Sequence, residues 1–393
     1  MHIYPITLLL LALMVIIPDL YIYQRFMRNR TNRSTAILHG ILSTYFIVVS
    51  LAIMLNMNRI YNPETSYRLL RFLTILGCVY IPKLIFCNFD LIFFLTKKRW
   101  RKIQYAGYIV AGLTFLNMLH GVVYERFNFK KGVYNIELED LPPAFEGYKI
   151  VQFSDMHLGS FTYSQERLKP LMDSINAQKP DIIVFTGDMV NNFASECNQW
   201  AEVFDRLNDS IPKLAILGNH DYSVYFDWEN EDLKSMNKIA LRQKIRDFGF
   251  KLLLNKPETI YRGNDSIVII GLENWGRRPE THHADLEKAM QGTEGFATKI
   301  LLSHDPTYWK DSICDRTDID LTLSGHTHAA QLGISIGSFK VSPAKLLFDY
   351  WDGLYIEDGK YILVSRGIGC VGIPARLGMS PEYSLITLTK KKQ

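Results

Sequence analysis

Aspartate, asparagine and histidine recur at the ends of five apolar segments: Asp155-Met156-His157, Gly187-Asp188, Gly218-Asn219-His220-Asp221, His304-Asp305 and Gly325-His326-Thr327-His328. Carboxylate oxygens, amide oxygens and imidazole nitrogens all donate lone pairs to divalent cations, and no thiolate belongs to the set. Taken singly, each cluster has an ordinary explanation. A Gly-Asp pair signals a turn, and His304 alone could be a satisfied core histidine. Taken together, each directly after an apolar run, they predict one shared metal site, because ligands gather at strand ends of open α/β sheets. Gly187, Gly218 and Gly325 precede these groups, where a missing Cβ permits a sharp exit from a strand. Ser154 and Ser303 read as strand-end packing.

The order D-x-H, G-D, G-N-H-[DE], a single His and G-H-x-H resembles the calcineurin-like metallophosphoesterase superfamily, and all five blocks follow in sequence between Lys149 and the C-terminus. The later residues Arg366-Gly367-Ile368-Gly369, Pro374, Arg376 and Pro381-Glu382 look like its bacterial membrane-associated branch of YkuE-like and YaeI-like phosphoesterases. The resemblance implies an α/β fold, a four-layer αββα sandwich, with a centre for two divalent metal ions. Asp155, His157, Asp188 and His328 would hold one ion; Asp188, Asn219, His304 and His326 would hold the other, with Asp188 bridging. Mixed oxygen and nitrogen ligands suit manganese, iron or zinc rather than calcium, with manganese first. The expected chemistry is hydrolysis of a phosphate ester or diphosphate by a hydroxide held between the ions. His220 is expected beside the metals, protonating or hydrogen-bonding the leaving oxygen, with Asp221 holding its ring. The alternative is that His220 only braces its loop. Arg277 and Arg278 read as a solvated loop, with contact to a second phosphate or a head group as the alternative. His282 and His283 lack partner spacing.

The elements that must position these groups are short runs rich in Val, Ile and Leu. They lie at Lys149–Ser154, Asp181–Thr186, Lys213–Leu217, Ser266–Gly271, Lys299–Ser303, Asp320–Ser324 and Tyr361–Ser365, and read as buried strands. Helices are expected at Ser164–Gln178, where Leu168, Leu171 and Ile175 share a face, and at Glu196–Leu207. Alternating strand and helix means α/β. The expected organisation is a membrane region over 1–125, a linker with an edge strand over 126–148 and a metallophosphoesterase domain over 149–393.

In front of that domain the chain changes character. Residues 1 to 131 carry 16 Lys and Arg against 4 acids, whereas the remaining 262 carry 28 against 36. A net −8 over the globular part argues against nucleic acid as its partner, since phosphate binding needs clustered cations there. Apolar segments at Ile3–Tyr23, Ala36–Leu55, Leu69–Leu95 and Ile103–Tyr124 are each long enough to cross a bilayer, giving about four spans. No basic residue precedes the first and no small-residue cleavage site follows it, so an anchor is favoured over a signal peptide. The third carries Arg71, Lys83 and Asp90, with Lys83 and Asp90 on one helical face; helix packing or a polar path between helices could use them. Basic loops with Arg25, Arg28, Arg30 and Arg33, and with Lys97, Lys98, Arg99, Arg101 and Lys102, read as cytoplasmic. The catalytic domain is then expected on the extracytoplasmic side of a multi-pass membrane protein. The five cysteines show no C-x-x-C spacing and imply no disulfide framework.

Tethering points to a phosphate-containing substrate carried by lipid, with the membrane as partner. Two other readings stay open. One is a UDP-2,3-diacylglucosamine diphosphatase-like hydrolase of the lipid A pathway, which needs the domain in the cytoplasm. The other is a non-catalytic metal-binding sensor or transport subunit.

Overall fold

The computed structural model describes residues 5–28, 32–55, 63–276, 279–337 and 339–392. The chain forms two compact units, Met1–Val123 and Tyr124–Gln393.

The first unit is helical: α1 (Pro5–Ile22), α2 (Arg33–Leu55), α3 (Pro63–Leu95) and α4 (Arg101–Val123). Among the described residues three stretches are long and apolar enough to cross a membrane: Arg33–Ile53, Glu64–Leu95 and Arg101–Phe127. The third predicted segment lies inside one 33-residue helix, which at 1.5 Å per residue reaches about 50 Å and exceeds a hydrocarbon core of about 30 Å. Two of its charges, Lys83 and Asp90, pair with other helices. Lys83 lies 2.8 Å from Asp19, which also accepts from the Tyr80 hydroxyl at 2.7 Å. Asp90 is fully buried and accepts from Tyr21 at 2.7 Å, Arg25 Nε at 3.0 Å and Gln104 at 2.5 Å. Lys83 and Asp90 therefore serve two separate polar knots, each satisfied within the helical unit.

The second unit contains β1 (Lys130–Leu138), β2 (Lys149–Phe153), α5 (Lys169–Asn176), β3 (Ile182–Thr186), α6 (Ala201–Phe204), β4 (Lys213–Ile216), α7 (Glu231–Asp247), β5 (Lys251–Leu252), β6 (Lys256–Arg262) and β7 (Asp265–Gly271). It continues through α8 (Leu286–Met290), β8 (Lys299–Leu302), β9 (Leu321–Ser324), β10 (Ile334–Ile336), β11 (Phe339–Val341), β12 (Gly353–Glu357), β13 (Lys360–Val364) and β14 (Glu382–Lys390). Two six-stranded mixed sheets run β1-β14-β2-β3-β4-β5 and β12-β13-β9-β8-β7-β6, and β10 pairs with β11 as a separate hairpin.

Strand alternation explains the layering. Ile150, Ile182 and Val184 face a core shared with Ile267, Ile269, Ile300, Leu302, Leu321 and Leu323 of the other sheet. Val151, Phe153, Ile183 and Phe185 point the opposite way, onto Leu171, Met172 and Ile175 of α5 and Leu241 and Ile245 of α7. Val268, Ile270 and Leu301 turn outward onto Ala289, Trp309 and Ile313. The result is a layered α/β sandwich with both sheets covered on both faces. Gln152 stitches the sheets, donating to Thr186 Oγ1 at 3.1 Å and to the Ser324 carbonyl at 2.8 Å.

Two expected helices are shorter than the sequence pattern suggests. The first begins as a 3-10 turn, Gln165–Leu168, before α5. The second breaks at Asn198, which is extended, and at Gln199, whose φ of 67° is left-handed, leaving only four residues in α6.

Candidate metal centre

Parallel pairing sends β2, β3 and β4 of one sheet, and β8 and β9 of the other, toward a common edge. Each ends at one of the polar clusters. The turns there are tight: Asp155, His157, Asp188, His326 and His328, five of the seven expected ligands, have positive φ. Such conformations cost on the order of 1–3 kcal/mol each and persist where surroundings fix them. Gly187 shows why space matters, since at φ 96° an added Cβ would stand 2.6 Å from the Gly218 nitrogen and 2.8 Å from His304 Nδ1.

Two clusters form and meet at Asp188. In the first, His157 Nε2 lies 3.1 Å from His328 Nε2, and His328 Nε2 lies 3.3 Å from Asp155 Oδ1. In the second, Asn219 Oδ1 lies 3.1 Å from His304 Nε2 and 2.8 Å from His326 Nδ1. Asp188 Oδ2 sits 3.6 Å from His157 Nε2 and 3.1 Å from His304 Nε2, between the two. Its other oxygen accepts from the His220 backbone N–H at 2.8 Å, which fixes the carboxylate plane. All seven groups lie together, and all but His326 are deeply buried.

Electrostatics reflect that crowding. Burial would raise the Asp188 and Asp155 carboxyls, but the imidazoles beside them hold both well below the usual carboxylate range. Burial pushes His157 down, and His220 adds to this. For His304, burial pushes down but the Asp188 and Asp155 charges pull it up to about 10.

This donor set fits divalent cations. Asp155, His157 and His328 offer ligand atoms within 4.8 Å of one another, as do Asp188, His304 and His326. Buried imidazole nitrogens facing each other at 3.1 Å leave a lone pair that a proton or cation must satisfy. His304 Nδ1 donates to the Thr186 carbonyl at 2.7 Å, which leaves Nε2 as the nitrogen able to ligate a cation.

His220 lies at the same edge, with His157 and Asp188 within ligand-group distance. Asp221 does not hold its ring. Nδ1 of His220 donates instead to the Asn191 carbonyl at 2.7 Å. Asp221 accepts from the backbone N–H groups of Gly218 at 3.0 Å, Asp188 at 2.9 Å and Met189 at 2.9 Å. A buried carboxylate surrounded by backbone donors goes to them, and Asp221 braces the turn that carries Asp188. Burial and the neighbouring Asp188 charge push its carboxyl up to about 7 against those donors.

Other contributors were not read from the sequence as parts of the site. Glu196 accepts from the N–H groups of Gly159, Asn191, Asn192 and Phe193, and so shapes the loop whose carbonyl orients His220. Tyr225 accepts from Asn219 Nδ2 at 2.8 Å. Ser154, read as packing, donates to Asp155 Oδ2. Arg376, noted only for its place in the tail, is fully buried; its Nη1 donates to the His328 carbonyl at 3.2 Å and its Nη2 lies 3.3 Å from His328 Nδ1. Arg277 and Arg278 lie outside the described residues. His283 stacks on Tyr222 at 3.9 Å, and His282 lies near Trp275; neither joins the cluster.

Residues 148–330 match the family described as calcineurin-like phosphoesterase. An uncharacterized metallophosphoesterase, YkuE of Bacillus subtilis (strain 168), is 31% identical over 63% of this chain and 81% of its own length. The chain belongs to the calcineurin-like metallophosphoesterase family. An uncharacterized metallophosphoesterase of Aquifex aeolicus (strain VF5) is 33% identical over 66% of this chain and 91% of its own. A "transmembrane protein with metallophosphoesterase domain" of Danio rerio is 30% identical over 64% of this chain, which spans 56% of that relative's length. This metallophosphoesterase thus joins a phosphoesterase domain to N-terminal helices long and apolar enough to cross a membrane.

Proposed function

We propose that this metallophosphoesterase hydrolyses a phosphate ester or diphosphate bond carried by a membrane lipid, from the extracytoplasmic face. The reading is carried by Asp188 Oδ2, placed between His157 and His304 where one carboxylate can serve both halves of the centre. Asp155, His157, Asp188 and His328 would hold one divalent cation, and Asp188, Asn219, His304 and His326 the other. Bound there, such a pair neutralises charge on a phosphoryl group and makes water a nucleophile near neutral pH.

The chain's own residues set the rest. The Asn191 carbonyl fixes the His220 ring by its Nδ1–H, leaving Nε2 as the nitrogen that protonates or hydrogen-bonds the leaving oxygen. Asp221 keeps the Gly218 and Asp188 turns in register. Burial excludes bulk water from the Asp155 side, while half-exposed His326 and His220 mark the side open to substrate. The membrane-crossing helices support a lipid-carried substrate, because tethering raises the effective concentration of a bilayer ester.

The test is a screen of full-length protein in detergent, stripped with chelator and reloaded with manganese, iron or zinc, against phosphomonoesters, phosphodiesters and lipid phosphates. Restored cleavage with preference for the lipid substrates is expected. Cleavage of soluble esters alone would end the lipid reading.

A further inference from the structure

Segment 332–348 leaves the metal centre and returns to it. It starts just beyond His328 and ends at Phe348, whose ring meets that of His326 edge-on at 5.6 Å. In between, β10 and β11 form an antiparallel hairpin with Ile334 opposite Val341 and Ile336 opposite Phe339. Alternation along such a hairpin normally turns apolar side chains inward. Here it is reversed. Ile334, Ile336, Phe339 and Val341 all face solvent, while Lys340 points back to Asp352 at 2.7 Å.

The turn that follows adds Leu346 and Leu347, which are 86% and 71% exposed. Six large apolar groups of this one segment thus face solvent, with Lys345 exposed beside Leu346 and Leu347. The base of the segment is firm: Gly333 N–H donates to the Leu377 carbonyl at 2.8 Å and Ser342 Oγ to the Ala329 carbonyl at 2.7 Å. Ala329, Ala344, Trp351 and Met379 bury together beneath it. Exposed apolar groups gathered on a firmly anchored segment mark an interaction site.

We propose that this hairpin and the Leu346-Leu347 turn dock into the headgroup and acyl boundary of the bilayer that the chain's own helices cross. The inference rests on the lipid-carried substrate proposed above. Two observations favour lipid over a protein partner. The same chain carries helices able to cross a membrane, so a bilayer is within tether reach throughout the protein's life. The surface is aliphatic and aromatic with a lysine among it, the composition that binds an anionic lipid interface. Because both ends of the segment are tied to His326 and His328, a lipid whose tail lies against the hairpin presents its phosphate at the centre.

The experiment uses full-length protein in phosphatidylcholine and phosphatidylglycerol proteoliposomes. Ile336→Cys, in a Cys78→Ser background, carries an environment-sensitive NBD label; Tyr261→Cys on β6, a position 76% exposed, is the control. The label at 336 is expected to be shielded from aqueous dithionite and quenched by brominated lipid, and the control to show neither. A label at 336 open to dithionite overturns the proposal. So does one that is shielded but unquenched by brominated lipid, which would place a second copy or another protein on the hairpin. The double variant Ile336→Asp, Phe339→Asp is expected to lower cleavage of a vesicle-borne lipid phosphate about tenfold more than cleavage of p-nitrophenyl phosphate. If the label sits in lipid while the parent protein cleaves no lipid phosphate at all, the surface stands and the substrate reading falls.

Discussion

Replacing Asp188 by asparagine removes a single negative charge from between His157 and His304 while keeping an oxygen able to accept from the His220 N–H. Turnover is expected to fall by at least about a hundredfold, with the circular dichroism spectrum unchanged, because in the proposed centre the charge serves two ions rather than the fold. Normal turnover in Asp188→Asn would remove the bridging role. His304 offers a second test. Burial opposes its charge, yet the neighbouring carboxylates raise it to about 10, so the metal-free centre holds a proton there that a cation must displace. Metal affinity measured by competition with a chelator is therefore expected to rise with pH, by about tenfold per unit for one displaced proton between about pH 6 and 9. A flat profile would contradict this. At this scale the gathering of these seven polar groups was legible in the sequence because each cluster follows an apolar run. The partner of His220 was not, because Asp221 adjoins it in sequence but is drawn away by backbone donors that only the folded turn assembles.

The strands deliver these residues, and their exits decide the geometry. Gly325 is the sharpest case: an added Cβ would overlap Ser154 Oγ and Asp155 Oδ2. Gly325→Ala is expected to displace Asp155 and lower metal content at least about tenfold, measured by inductively coupled plasma mass spectrometry on folded protein. Full metal occupancy would show that the turn can yield. The seven central strands were readable because most of each is buried on both faces and the runs are rich in Val, Ile and Leu, with single buried polar residues such as Gln152 and Thr322. Other elements were hidden for equally physical reasons. Helix α7 buries only Leu241 and Ile245, so its periodic signal is faint over 17 residues. Strand β14 alternates serine and threonine with leucine and isoleucine, and shows its role only once paired with β1 and β2.

Across the whole molecule, charge and hydropathy separate a basic, apolar front from an acidic globular unit, and that contrast was plain from composition. The satisfaction of Asp19 and Asp90 within the helical unit was not, because their partners come from other helices, among them Lys83, Tyr80 and Gln104. Which side the globular unit occupies is testable directly. Glu229 is exposed, and a Glu229→Cys variant in intact cells is expected to react with a membrane-impermeant maleimide. Labelling only after lysis would place the domain in the cytoplasm and favour a nucleotide-lipid diphosphate as substrate. The reversed hairpin belongs to this scale too, since its apolar side makes sense only with a surface to meet.

The account rests on two cations sharing Asp188. Anomalous scattering from manganese-soaked crystals of the full chain is expected to show two peaks about 3.5–4 Å apart, one on each side of that carboxylate. One peak, or none, would contradict it.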